Sequence, residues 1–144
     1  MSQKLADKRS FLIAHSNGII SQAVADRIKA HVSSAQIYFA NDGMDATMKV
    51  NTSHPNIIIV ERFLPKLDAI KLIHWGLETK SLRSLAYIIL SEIPNEQQFV
   101  DEVVLGGVQF LEDWSNDVKL AQSLSRALNY ITHKGRSRPE VGGD

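Results

Sequence analysis

Five polar residues lie at or just beyond the end of a short apolar run: His15, Ser16, Glu61, Ser91 and Asp113. Imidazole, carboxylate and hydroxyl groups transfer protons, ligate metals and accept hydrogen bonds. If the apolar runs are parallel strands of one sheet, their carboxyl ends meet at one edge, where sites form in open α/β sheets. The sequence therefore predicts one polar site at the edge of a sheet.

Glu61 follows the most strongly patterned run in the chain. Four β-branched residues, at 57–60, come after Pro55 and Asn56 and lead directly into the carboxylate. A short and continuously apolar run predicts a central strand that is buried on both faces. We therefore expect Glu61 where the central strand leaves the sheet.

The elements that must position these residues alternate along the chain. Apolar runs predict strands at 11–14, 37–40, 57–60, 86–90 and 108–111, and an amphipathic pattern follows each of them. Such alternation predicts a doubly wound, five-stranded parallel α/β sheet with helices on both faces. For the first helix we expect a core stripe formed by Ile19, Ile20, Ala23, Val24 and Ile28. For the second helix we expect a core stripe formed by Ala46, Met48 and Val50. For the last helix we expect a core stripe formed by Val118, Ala121, Leu124, Leu128 and Ile131.

Composition excludes several classes of protein. The chain has 44% hydrophobic and 22% charged residues, no net charge and no cysteine. Disulfides and thiolate chemistry are therefore excluded, and no global field attracts nucleic acid or an anionic membrane. No apolar run approaches the roughly 18 residues of a membrane span. We expect a single cytoplasmic domain.

Three segments, in order and at matching spacing, carry a resemblance to a known family. They are 55–61 with 65–69, the Asn–Asp–Gly–x–x–Ala run at 41–46, and the Gly–Gly–x–x–Phe–Leu run at 106–111. Across residues 10–132 the chain resembles the receiver domain of two-component response regulators. The resemblance implies a receiver or flavodoxin-like fold, with a flexible arm at 1–9 and a flexible tail or linker at 133–144.

The functional positions of that family are poorly matched here. The acidic pair that holds Mg²⁺ falls on His15 and Ser16, neither of which supplies a carboxylate. The phospho-accepting aspartate falls on Glu61, and the phosphate-binding lysine falls on Asp113. Only the hydroxyl position keeps its chemistry, as Ser91. The resemblance thus implies a degenerate pseudo-receiver without Mg²⁺, cofactor, phosphoryl transfer or enzymatic activity. The aromatic switch position falls on Phe110.

Other interpretations of the same positions stay open. Glu61 could act as a built-in phosphomimic. His15, Glu61 and Asp113 could form a transition-metal site, although an ion-pair cluster, with His15 protonated and its pKa raised, is the interpretation we prefer. The remodelled pocket could also serve as a small-ligand or ion sensor that uses all five positions, His15, Ser16, Glu61, Ser91 and Asp113.

An acidic segment next to the site predicts an interaction face. Residues 92–117 contain seven acidic residues and no lysine or arginine. An acidic rim around apolar residues is typical of a protein interface. The predicted face comprises Phe99, Val100, Asp101, Glu102, Val103, Trp114, Leu120 and Tyr130. It would use the helix expected near 94–105, the fifth strand and the last helix, where Ala127 also lies off the main core stripe.

These observations together predict a phosphorylation-independent adaptor of bacterial two-component signalling that acts by protein–protein interaction. Its partner would be another protein, for example an output domain in the same chain or a second copy of the protein. We expect no membrane contact. We also expect no nucleic-acid partner, because Lys134, Arg136 and Arg138 are too few basic residues to argue for one.

Overall fold

The computed structural model describes residues 9–79, 84–92 and 107–142, and only the backbone of 133–142. The described elements are β1 (Ser10–Ala14), α1 (Gly18–His31), β2 (Gln36–Ala40), α2 (Gly43–Ser53), β3 (Ile57–Glu61), α3 (Ala69–Glu78), β4 (Ala86–Leu90), β5 (Val108–Leu111) and α4 (Asp117–Gly142). The helix expected near 94–105 lies outside the described residues. Within the described residues, no helix is both long enough and apolar enough to cross a bilayer.

The five strands form one parallel sheet in the order β2-β1-β3-β4-β5. β1 pairs with β2 on one side and with β3 on the other, so the winding direction reverses between β1 and β3. Such a reversal opens a crevice at the carboxyl ends of the strands. The register places Glu61 opposite Leu90, so β3 and β4 end side by side. The predicted doubly wound α/β fold is confirmed.

The central strand β3 is buried on both faces, as predicted. Ile58 and Val60 belong to the core layer that contains α2 and α3. Ile57 and Ile59 belong to the opposite layer, which contains α1 and α4. Because all four side chains are at most 1% exposed, β3 is fixed firmly, and Glu61 leaves the sheet from a rigid position.

Side-chain caps begin three of the helices that surround the site. Asn17 Oδ1 accepts hydrogen bonds from the N–H groups of Ile19 and Ile20, at 2.9 and 3.3 Å. Asp42 and Asp68 cap α2 and α3 in the same way. These caps satisfy backbone N–H groups that a helix start leaves without partners.

Two helices bury faces that differ from the predicted stripes. Ile19 of α1 is 83% exposed. In α4, Val118 is 65% exposed, whereas Leu120 and Ala127 are almost completely buried. The predicted stripe of α4 was therefore wrong at its start. Successive residues of a helix are about 100° apart around its axis. A small error in the assumed orientation of the buried face therefore exchanges buried and exposed apolar positions.

The observed orientation of α4 also corrects the predicted interaction face. Leu120 is 1% exposed and packs in the core, so it does not belong to a surface. Tyr130 and Trp114 are partly buried and pack against the same core layer. The remaining predicted residues of the face, at 99–103, lie outside the described residues.

Two further features of the helices differ from expectation. Met48 of α2 is 64% exposed and is not a core residue, because Ala46 and Val50 already form the buried stripe of this helix. The backbone of α4 continues to Gly142, beyond the tail expected from His133. Gly135 and Pro139 are poor helix formers, but extending an existing helix is much easier than starting one.

Candidate functional site

A cleft of about 540 Å³ lies at the carboxyl edge of the sheet. Four of the five predicted site residues line it, namely His15, Glu61, Ser91 and Asp113. The fifth, Ser16, is hydrogen-bonded to Glu61. The structure therefore brings together residues that are up to 98 positions apart in the sequence, from His15 to Asp113.

Glu61 is bound to the loop that follows β1. Its Oε1 accepts a hydrogen bond from the Ser16 N–H and another from the Ser16 hydroxyl, both at 2.9 Å. These bonds connect the end of β3 to the start of α1 across 45 positions of sequence. Bonds to a carboxylate are stronger than bonds between neutral groups. Glu61 therefore holds the β1–α1 loop in place through the N–H and hydroxyl groups of Ser16.

His15 is neutral in this arrangement, which corrects the expectation of a protonated histidine. Burial lowers the pKa of His15, and this effect exceeds the opposing influence of the nearby Glu61 carboxylate. Nδ1 accepts a hydrogen bond from the Asn17 N–H at 2.9 Å, so the ring proton is on Nε2. The distance of 3.6 Å between His15 Nδ1 and Glu61 Oε1 is thus a contact between a neutral ring and a carboxylate.

Asp113 forms a separate local network on the opposite wall. Its Oδ1 accepts hydrogen bonds from the Ser115 hydroxyl at 2.6 Å and from the Ser115 N–H at 3.1 Å. These bonds lower the pKa of Asp113, led by the hydroxyl. Among the described residues, no three histidine, aspartate or glutamate side chains are arranged to hold a metal ion. Of the three residues expected to cluster, His15 and Glu61 are in contact at 3.6 Å, whereas Asp113 is bonded to Ser115.

Ser91 and Phe110 lie on the β4–β5 side of the site. Ser91 is 4% exposed, and its N–H donates to the Leu111 carbonyl at 3.2 Å, which aligns the ends of the two strands. Phe110 lies opposite Ile89 in the register and packs, partly buried, against the core layer of α2 and α3.

The cleft also contains residues that the sequence interpretation did not assign to the site. They are Ile20, Arg62, Phe63, Leu90, Glu92, Glu112 and Ser115, and Trp114 of the predicted face joins them. The Arg62 guanidinium lies over the Phe63 ring, 4.5 Å from its centroid. Arg62, Phe63, Glu92 and Glu112 lie one or two positions beyond a strand end, and that position was the available signal for them.

Comparison with solved structures identifies the fold. The chain superposes on a two-component transcriptional regulator AraC from Clostridium phytofermentans ISDg, with a TM-score of 0.75 and 16% identity over 88% of this chain and 97% of that one. Chemotaxis response regulator CheY4 of Vibrio cholerae gives 0.72 and 16% over 83% and 98% of the two chains. This chain has the receiver fold.

A third match is similar in kind. The signal receiver domain of a histidine kinase from Syntrophus aciditrophicus gives a TM-score of 0.69 and 20% identity, over 84% of this chain and 90% of that one. No family model matches the sequence. No curated protein sequence matches it either. The likeness therefore concerns the fold, and the roles of individual residues at the site stay predictions.

Proposed function

We propose that this protein is a pseudo-receiver, a signalling adaptor that works without phosphorylation and acts by protein–protein interaction. The observation that carries the proposal is the bonding of Glu61. At the position expected for the phospho-acceptor, a carboxylate oxygen is already engaged by the N–H and hydroxyl of Ser16. The chain thus supplies internally the link between β1 and β3 that a metal ion would otherwise make.

The donor set at this edge does not fit Mg²⁺. This ion prefers several oxygen ligands in octahedral geometry, including carboxylates. His15 offers a neutral ring with Nδ1 engaged by Asn17, and Ser16 uses its hydroxyl to donate to Glu61. Asp113 brings a negative charge to the position where a lysine would meet a phosphoryl group. We therefore propose that this site neither binds Mg²⁺ nor carries out phosphoryl transfer.

A fixed β5–α4 surface supports the adaptor role. The Gln109 amide donates to the Ser123 carbonyl at 2.7 Å, and the Ser123 hydroxyl donates to Gln109 Oε1 at 2.9 Å. This reciprocal pair holds β5 against α4. Beside it lies a depression of about 260 Å³ that is bordered by Tyr130 and Arg126. Such a concave and rigid surface suits a protein partner, either an output domain or a second copy.

Phosphorylation is tested directly by intact-mass measurement. The protein is incubated with Mg²⁺ and acetyl phosphate, and we expect no added phosphoryl group. The matched control restores the family chemistry with Glu61→Asp, His15→Asp, Ser16→Asp and Asp113→Lys. Labelling of this control alone would assign the loss to these four positions. Addition of one phosphoryl group to the natural chain would refute the pseudo-receiver proposal.

The interaction face needs its own test, because most of it lies outside the described residues. Charge reversal at Asp101 and Glu102 should weaken binding to a partner captured with the natural chain. Reversal at Asp26 and Glu78, two exposed acidic residues outside the predicted face, provides the control. If both variants bind the partner equally well, the interface lies elsewhere on the protein. This outcome would not affect the conclusion of the phosphorylation test.

A further inference from the structure

The strand β2 forms one edge of the sheet. Within the described residues it pairs with β1 alone and stands first in the strand order. The Gln36 N–H and the Ala40 carbonyl are both bonded to the segment that contains β1, at 3.1 and 3.0 Å. Backbone groups alternate in direction along a strand. The backbone groups of Phe39 and Asn41 therefore point away from the sheet.

The composition of this edge favours pairing with another strand. Residues 35–40 include Ile37, Tyr38 and Phe39, and they contain no charged residue, no glycine and no proline. An edge strand of this kind pairs readily with a strand of another molecule, because it presents backbone donors and acceptors in a row. Phe39 is also 37% exposed, so apolar surface accompanies the outward backbone groups.

Two side chains of α2 bond the outward groups at the end of β2. Lys49 Nζ donates to the Phe39 carbonyl at 2.8 Å, and Asp45 Oδ2 accepts from the Asn41 N–H at 3.2 Å. Lys49 and Asp45 lie one helical turn apart and form an ion pair, with 3.8 Å between Nζ and Oδ2. Each of the two side chains is thus held by the other as well as by the edge.

These two bonds have the pattern that an added parallel strand would make. In a parallel ladder, one residue of the incoming strand donates its N–H to the carbonyl of residue i−1 and accepts from the N–H of residue i+1. With Ala40 as residue i, these groups are the Phe39 carbonyl and the Asn41 N–H. Lys49 and Asp45 bond the same two groups. The pair therefore takes the place of one residue of a neighbouring strand.

We propose that the Asp45–Lys49 pair closes the β2 edge and prevents a second copy of the protein from adding a strand there. A lysine on an edge strand is one of the means by which proteins avoid such association. The proposal goes beyond the adaptor function and does not depend on it, because β2 and β5 lie at opposite ends of the sheet. A second copy that acts as a partner would accordingly use another surface.

A double substitution tests the proposal at constant net charge. Asp45→Ala with Lys49→Met, the edge variant, removes both side-chain bonds. Lys71→Met with Glu78→Ala makes a similar change at two exposed positions of α3 and is the control. In sedimentation velocity over a range of concentrations, the edge variant should self-associate about tenfold or more tightly than the natural chain and the control. Association through any other face is common to all three proteins and does not affect the comparison.

Two more variants assign the effect to the β2 edge. Lys49→Arg keeps a cationic donor and should associate no more than the natural chain does. Phe39→Lys, added to the edge variant, places a charge on the edge strand and should reverse the association. Unchanged association in the edge variant, or an increase that Phe39→Lys leaves intact, would overturn the proposal.

Amide exchange gives a test that does not depend on the double substitution. The Asn41 N–H should exchange at least about tenfold faster in Asp45→Ala than in the natural chain, because it loses its acceptor. Equal exchange in the two proteins would show that Asp45 does not cover this group, and it would also overturn the proposal.

Discussion

The bond between Glu61 and the β1–α1 loop gives the sharpest test of how this edge of the sheet is held together. Glu61→Ala removes the acceptor of two hydrogen bonds, each 2.9 Å long, from the Ser16 N–H and hydroxyl. A hydrogen bond to a charged group contributes about 1.5–3 kcal/mol when it is shielded from water. Ser16 is exposed, however, so water replaces part of what is lost.

The expected cost of Glu61→Ala is therefore about 1–2 kcal/mol for both bonds together. For a chain of this size, such a cost corresponds to a fall in Tm of about 2–8 °C. Ser16→Ala removes only the hydroxyl bond and should cost about 0.5–1 kcal/mol. Because both substitutions remove the same hydroxyl–carboxylate bond, the double variant should be less destabilised than the sum of the two single variants.

Urea unfolding followed by circular dichroism measures these free energies. Glu78→Ala, an exposed glutamate on α3 outside the cleft, is the matched control and should change stability by no more than about 0.5 kcal/mol. Amide exchange of the Ser16 N–H should accelerate in Glu61→Ala, since this proton loses its acceptor. Additive single-variant effects with unchanged exchange would refute the view that Glu61 fixes the loop.

Two further predictions concern the neutral His15 and the orientation of α4. The pKa of His15 is lower in the folded protein than its ordinary value of 6.5, so the unfolded chain binds more protons below that pH. This contribution to stability is present above pH 6.5 and is lost as the pH falls through the lowered pKa of His15. We therefore expect His15→Gln to reduce the loss of stability between about pH 7 and pH 5. Leu120→Ala should cost about 2–4 kcal/mol because it empties a core position. Val118→Ala, at a position that is 65% exposed, should cost less than about 0.5 kcal/mol; equal costs in urea unfolding would contradict the observed orientation of α4.

Local sequence determined the strands and the edge where the site forms. The run that ends in Glu61 contains four consecutive β-branched residues, so its burial on both faces could be predicted without knowledge of its neighbours. Asn17 and Asp68 could be identified as helix caps because their side chains bond backbone groups two or three positions away. The order of strands and helices then placed His15, Glu61 and Asp113 at one edge.

Only the tertiary structure decided what the residues at this edge do. Glu61 meets Ser16, 45 positions away, through one particular oxygen atom, and no local pattern specifies such a pairing. His15 was expected to be charged because acidic residues lie nearby, but its protonation depends on burial and on the Asn17 N–H, which only the folded chain provides. In α4 several apolar residues competed for the core, and packing against the sheet selected Leu120. Sequence thus determined which groups gather here, and three-dimensional packing determined their partners and charge.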